Sequence, residues 1–399
     1  MSSTPLPRPT TPRAFSCACG RPVFFRNSEC LACHRPLGYD AELGELLALE
    51  AAAEGGWQRV GSAGSAPRYT RCANLDTAAG CNWLLTAADV EAGLTLCRCC
   101  RLTRTLPDLG APDSALWWSR IELAKRRLVS SLIGLKLPVR SKTEDPDRGL
   151  TFDLLLSPPE GPAVITGHAD GVITLDVSEA DDARREQRRG HLGEPYRTLL
   201  GHLRHETGHH YWQRLVEPSP LWLERSREVF GDDRQDYAAA LKRHYSAGPP
   251  ADWGQHFVSA YASSHPWEDW AETWAHYLHL VDTLDTARSF GLDGERVELS
   301  YERFSAEVMS GPADDPEAAR FLQLINSWME LTGVLNELSR SMGVADFYPF
   351  VLSAPVVRKL HLVHRVIQAA GVGDTAGAPA AQPPVAEQPS APVAAAALG

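Results

Sequence analysis

The chain has 399 residues, 44% of them hydrophobic, which is enough for one sizeable core plus a smaller module, so two domains are expected. A net charge of -11 and a pI near 5.7 argue against a protein whose main work is gripping nucleic acid over its whole surface. No stretch approaches the roughly eighteen apolar residues of a membrane span, and the opening residues lack the apolar segment of a secretory signal, so a cytoplasmic protein is expected.

Residues 1–13 are rich in Pro and Thr and read as a disordered tail. All nine cysteines then fall between Cys17 and Cys100, in short-spaced pairs. In a reducing compartment such pairs read as metal sites before disulfides. Cys17, Cys19, Cys30 and Cys33 form two knuckles whose thiolates can close a tetrahedral zinc site. A second set is Cys72, Cys81, Cys97 and Cys100, with Cys99 left as the odd one out, although a Cys97/Cys99 pair has the same gap as Cys17/Cys19. Residues 14–107 are thus expected to be a zinc-ribbon module with two four-cysteine sites, stabilising a small fold or docking a partner. His34 reads as a bystander beside Cys33. Arg98, Arg101 and Arg104 are a weak nucleic-acid footprint.

A boundary near 108–112 precedes a new regime that runs over 113–369. Asp113 or Ser114 can cap a helix through Leu116, Trp117, Ile121, Ala124, Leu128 and Leu132, which recur at helical spacing. Strands are expected at Leu150–Leu156, Ala163–Thr166 and Val172–Val177, with a turn over His168–Gly171. Glu179–Arg189 mixes both signs of charge and reads as a solvated helix or loop. From there to about residue 369 the pattern is almost wholly helical, so the fold class is α+β, a small sheet followed by helices. Residues 371–399 are Ala, Pro and Gln with little charge, a second disordered tail.

The helical part opens with the most informative stretch, His205-Glu206-Thr207-Gly208-His209, in a segment expected to be helical over Pro195–Val216. Residues four apart share a helix face, so His205 and His209 can point at one zinc ion, while Glu206 is placed to take a proton from a water the metal activates. A catalytic zinc needs a third protein ligand. The best source is Ser264 to His276, where Pro266 suits the first turn of a helix and Glu268, Glu272 and His276 follow at four-residue steps on one face. Spacing alone leaves the choice among them open.

HExGHHYW followed by a PWEDWAETWAHYLH helix, behind FSCACGRPVFFRNSECLAC and CRLTRTLPDL, resembles a bacterial family of zinc-dependent metallopeptidases with an N-terminal zinc ribbon. The resemblance runs from Phe15 to about residue 365; Cys99, where the family pattern suggests a small non-cysteine residue, departs from it. It implies a zincin-like peptidase domain of the gluzincin type, whose third ligand is a glutamate on a later helix. Carried onto this sequence, that ligand is Glu268, with Glu272 orienting a ligand histidine through its free ring nitrogen, or as runner-up binding the metal itself.

The expected chemistry is peptide hydrolysis with one catalytic and two structural Zn2+ ions, Glu206 as general base and a peptide or protein as substrate. The oxyanion needs a further donor; among His210, Tyr211, Tyr261, His265, His276 and Tyr277, those just before the third-ligand helix, Tyr261 and His265, have the edge. By analogy with gluzincin folds, Val172–Val177 is the strand expected to edge the cleft and pair with substrate. The competing class is a catalytically silent zincin fold whose ribbons bind a protein partner or, less favourably, nucleic acid.

Overall fold

The computed structural model describes residues 10–373, apart from 54, 63–66, 159, 193–196, 293–296, 298 and 310–315. The tails expected at 1–13 and 371–399 therefore lie mostly outside the described residues. The N-terminal part is built from short antiparallel pairs: β1 (Phe15–Ser16) with β2 (Pro22–Val23), the three-stranded β3 (Leu37–Asp40), β4 (Glu45–Ala51) and β5 (Trp57–Arg59), and β6 (Thr70–Arg71) with β7 (Leu84–Leu85). Phe25, Tyr39 and Trp83 pack edge-on or tilted at its centre, with ring centroids 4.7 to 6.5 Å apart. A one-turn helix, α1 (Ala87–Glu91), follows, closed by a reciprocal Thr86–Asp89 capping box.

The ribbon part does not end before the next domain begins. Its last strand, β8 (Thr103–Thr105), runs parallel to β9 (Thr151–Leu155) in a four-stranded mixed sheet of order β10-β11-β9-β8, where β10 is Gly167–Ala169 and β11 is Val172–Asp176. Between β8 and β9 lies α2 (Ser114–Gly134), whose N-cap position is Asp113 in a left-handed conformation, its side chain making no capping bond. Phe152, Leu154, Ile173 and Leu175 are fully buried, and ribbon and helical residues share one continuous core. The three arginines of the weak nucleic-acid footprint are each held by carboxylates: Arg98 by Glu42 at 3.1 Å, Arg101 by Asp89 and Glu144 at 3.1 Å, and Arg104 by Asp153.

Two strand expectations need correction. Residues 163–166 are irregular, because side chains take the backbone donors that a ladder would use: Val164 N–H donates to Ser157 Oγ (2.9 Å) and Asp176 N–H to Thr166 Oγ1 (3.1 Å). Pairing starts at Gly167 instead, and Asp170–Gly171, both at positive φ, make the turn into β11. In consequence β11 lies inside the sheet, and β10 is the edge strand.

The helices follow: α3 (Asp182–Leu192), α4 (Leu199–Tyr211, widening to a π turn over Trp212–Val216), α5 (Pro220–Phe230), α6 (Tyr237–Ala247), α7 (Trp253–His256), α8 (Pro266–Ser289), α9 (Pro316–Ser341) and α10 (Ala354–Gly373). Their starts carry orthodox caps: Thr198 Oγ1 accepts from Gly201 N–H, Ser219 caps α5 before Pro220, and Asp236 caps α6. α4 and α8 cross at the centre of the domain, with α2 against α4 and α10 against α8. A Cβ at Gly208 would sit 2.9 Å from Cα of Ala271, so only glycine permits so close a crossing, and Trp270 Nε1 donates across it to Gly208 O at 3.0 Å.

Residues 10–13, expected with the leading tail, are part of this core. Thr11 N–H donates to Asp285 at 2.9 Å, and Arg13 is buried against Asp282, Ser130 and Ser131. Among the described residues, no helix is long and apolar enough to cross a membrane.

Candidate metal centre and active site

The close α4–α8 crossing sets the first turns of α8 against the HExxH face of α4. Nε2 of His205 lies 3.2 Å from Nε2 of His209 and 3.0 Å from Oε2 of Glu268, and His209 Nε2 is 3.5 Å from the same oxygen. For metal bonds of 2.0–2.1 Å the edge of a tetrahedron is roughly 3.3 Å, so the three atoms stand where three zinc ligands would. Oε2 of Glu268 is buried without a hydrogen bond, a lone pair that a cation would satisfy. Burial alone would push the Glu268 carboxyl up, but the two imidazoles hold it well below the usual carboxylate range. The residues therefore fit the ion.

Glu272 is one turn further along α8 and on the other side of the first imidazole. Its Oε1 is 2.6 Å from His205 Nδ1, and its Oε2 accepts from the Ser259 hydroxyl at 2.6 Å. It thus faces the nitrogen turned away from the ligand atoms, an orienting position and not a direct one. His276, a turn beyond, leaves the site: its Nδ1 meets the Tyr348 hydroxyl at 2.6 Å in the core, where burial lowers its pKa to about 4.

Glu206 is buried beside the ligand atoms. Burial would raise its carboxyl, yet His202, His205 and His209 lower it, so it is ionised at neutral pH. Four of the possible oxyanion donors are occupied elsewhere. His265 caps α8, with Nδ1 accepting from Trp267 N–H (3.1 Å) and Nε2 donating to Gln235 O (3.1 Å); Tyr211 donates to Pro138 O (2.9 Å); Tyr277 meets His364 (2.8 Å); His276 is as above. His210 packs edge-on to His168, and burial lowers it to about 3. Tyr261 stays at the site, its ring 6.0 Å from that of His205.

Other residues at the site carry no mark in the linear pattern. Tyr237 of α6 donates to Oε1 of Glu268 at 2.6 Å, which leaves Oε2 for the histidines. Trp267 lies over His209, with centroids 4.0 Å apart, and His168 on the edge strand β10 stacks near it at 6.3 Å. Glu179, expected in a solvated stretch, is buried and bonded to His202.

The nine cysteines sort into two clusters and a remainder. Sulfur atoms of Cys17, Cys19, Cys30 and Cys33 converge, with Cys17–Cys33 at 3.6 Å and Cys19–Cys30 at 3.7 Å; those of Cys72, Cys81, Cys97 and Cys100 do likewise, with Cys81–Cys97 at 3.6 Å. Disulfides would place sulfurs about 2.05 Å apart, whereas a zinc tetrahedron with 2.3 Å bonds has edges of roughly 3.8 Å. Cys99 is buried outside both clusters, in the field of Lys125, Glu122 and Arg126. His34 points to Glu29 on the surface at 2.7 Å, away from the thiols.

Residues 114–366 match the family described as "Putative zinc-binding metallo-peptidase", and residues 14–111 match a zinc-ribbon domain. Uncharacterized proteins of Mycobacterium tuberculosis and Mycobacterium bovis are each 44% identical over 356 residues, covering 89% of this chain and 95% of the relative. No solved structure matches the chain. Because the matched region spans well over half of the sequence and contains His205, His209 and Glu268, the protein belongs to this zinc-binding metallo-peptidase family.

Proposed function

We propose that the protein is a gluzincin-like zinc peptidase that hydrolyses peptide bonds, with His205, His209 and Glu268 as ligands of one catalytic ion and the two cysteine clusters holding two structural ions. The convergence of three ligand atoms within 3.0 to 3.5 Å beside the ionised, buried Glu206 is the observation that carries this reading. Bound zinc supplies Lewis acidity, which lowers the pKa of a water and polarises the scissile carbonyl.

The protein's own groups do the rest. Glu206 takes the proton of the attacking water and delivers it to the leaving amine. Glu272 and Ser259 fix the plane of His205. Tyr261, the one sequence candidate at the site with its ring facing His205, donates its hydroxyl to the developing oxyanion. The edge strand β10 pairs with an extended substrate, taking the role assigned by sequence to Val172–Val177. The ribbons stabilise the N-terminal part through its shared core, with docking of a protein partner as a further role.

Cleavage of an unbiased peptide library by wild type and by Glu206→Gln, read by mass spectrometry, tests the proposal. Cleavage by wild type and none by the variant is expected; equal cleavage by both would overturn the role of Glu206, and none by wild type would overturn the activity.

A further inference from the structure

Glu206 has a neighbour that this scheme leaves unused. His202 lies one turn before it on α4, with Nε2 3.2 Å from Glu206 Oε1 and Nδ1 2.8 Å from Glu179 Oε2. Glu179 sits in the short turn after β11 and is itself fixed: Thr166 Oγ1 donates to its Oε1 at 2.6 Å, Arg185 donates to its main-chain oxygen at 2.9 Å, and Arg188 stands 3.6 Å from Oε1. The three ionisable groups form a row from the sheet to the site, each less than a fifth exposed.

Burial by itself would depress the His202 imidazole, but the carboxylates on either side raise its pKa to about 9. Burial would likewise raise Glu179, yet His202, Thr166 and Arg197 bring it down to about 2. Both ring nitrogens of His202 then carry protons at neutral pH, and each faces a carboxylate oxygen. Burying three charges in a row costs desolvation that an apolar side chain at 202 would avoid, so packing alone does not account for the arrangement.

We propose that His202, held by Glu179, is the positioning residue for the general base: it donates Nε2–H to Oε1 of Glu206 and leaves Oε2 as the oxygen that takes the proton from water. The proton leaves the water O–H bond for Oε2 and passes to the amine nitrogen as the C–N bond breaks, while His202 keeps both of its ring protons. This rests on the peptidase reading, since it assigns a partner to that reading's base.

The test uses the full chain with its zinc. His202→Ala is expected to lower kcat by about ten- to a hundredfold, the range for groups that orient a catalytic residue, with KM and zinc content unchanged. His202→Gln, whose amide can donate to Glu206, is expected to restore much of that loss, and Glu179→Gln to lower kcat in the same sense. Unchanged kcat in His202→Ala, or equal losses in the Ala and Gln variants, would overturn the proposal. Histidine 15N NMR supplies an arm that needs no turnover. The resonances lost in His202→Gln are expected to show a doubly protonated ring at pH 7.5 in wild type, and a neutral ring there would contradict the row. Failure of the peptidase reading shows separately, as absence of cleavage by wild type.

Discussion

Nδ1 of His205 lies 2.6 Å from Oε1 of Glu272, on the side of the ring opposite the nitrogen that faces His209 and Glu268. One helix thus offers two glutamates with different tasks, one turn apart. Glu272→Ala is expected to keep the fold and to weaken binding of the catalytic zinc about 10- to 100-fold, measured by competition with a chromophoric chelator. Glu268→Ala should remove that ion outright. Equal loss in both variants would make Glu272 a direct ligand.

Gly208 decides whether the two helices can meet. Valine there would drive its Cβ to 2.9 Å from Cα of Ala271 and 3.2 Å from Cβ of Trp274, and backbone cannot yield as a flexible side chain can. Gly208→Val is expected to lose about 1–3 kcal/mol of stability. Its zinc content should fall by one ion as α8 backs away from His205 and His209. Full zinc content with wild-type stability would mean that the crossing is not needed for the site.

The two adjacent cysteines at the end of the ribbon make a sharp contrast. Cys100 belongs to the second sulfur cluster, whereas Cys99 is buried outside it. Cys100→Ser is expected to release one structural zinc, and Cys99→Ser to retain all three ions with a modest loss of stability. The reverse pattern, read by metal analysis, would exchange their roles.

Much of this site is legible in the linear pattern because the spacing is local. HExxH puts two imidazoles on one helix face, and short cysteine gaps can close a turn around an ion. Glu268 needed the family resemblance, since Glu268, Glu272 and His276 recur at the same step and helix phase depends on how α8 packs. His202 was readable as a partner at i,i+4 from Glu206, but its weight comes from Glu179, which a charged stretch disguised. Tyr237 and Ser259 arrive by tertiary packing and leave no trace in spacing. His265 shows the opposite error: its position before the third-ligand helix suggested chemistry, and both its nitrogens are spent capping that helix.

Arg13 was hidden in a tail of low complexity. With Arg127 and Arg204 it surrounds Asp282, whose carboxyl is held far below its usual range by these guanidiniums despite burial. Asp282→Ala leaves those charges without their acid and is expected to cost about 3–5 kcal/mol by urea denaturation. A loss below about 1 kcal/mol, the range of an exposed pair, would contradict the network.

The Glu179–His202 pair also sets a pH dependence of stability. The imidazole, raised to about 9 from about 6.5 in the unfolded chain, contributes in full below about pH 6.5 and loses its contribution as pH rises through 9. Glu179, lowered to about 2 from about 4.3, contributes above about pH 4.3 and loses it only as pH falls through 2. The difference in Tm between wild type and His202→Phe is therefore expected to shrink from pH 6.5 to 9.5. A constant difference over that range would show that His202 gains no proton affinity on folding.

The central claim is that one ion of three is the working one. Zinc content and peptide hydrolysis measured together on wild type and His205→Ala test it most directly. Three ions and cleavage in wild type, against two ions and no cleavage in the variant, are predicted. An unchanged zinc content, or hydrolysis that survives the loss of one ion, would contradict the account.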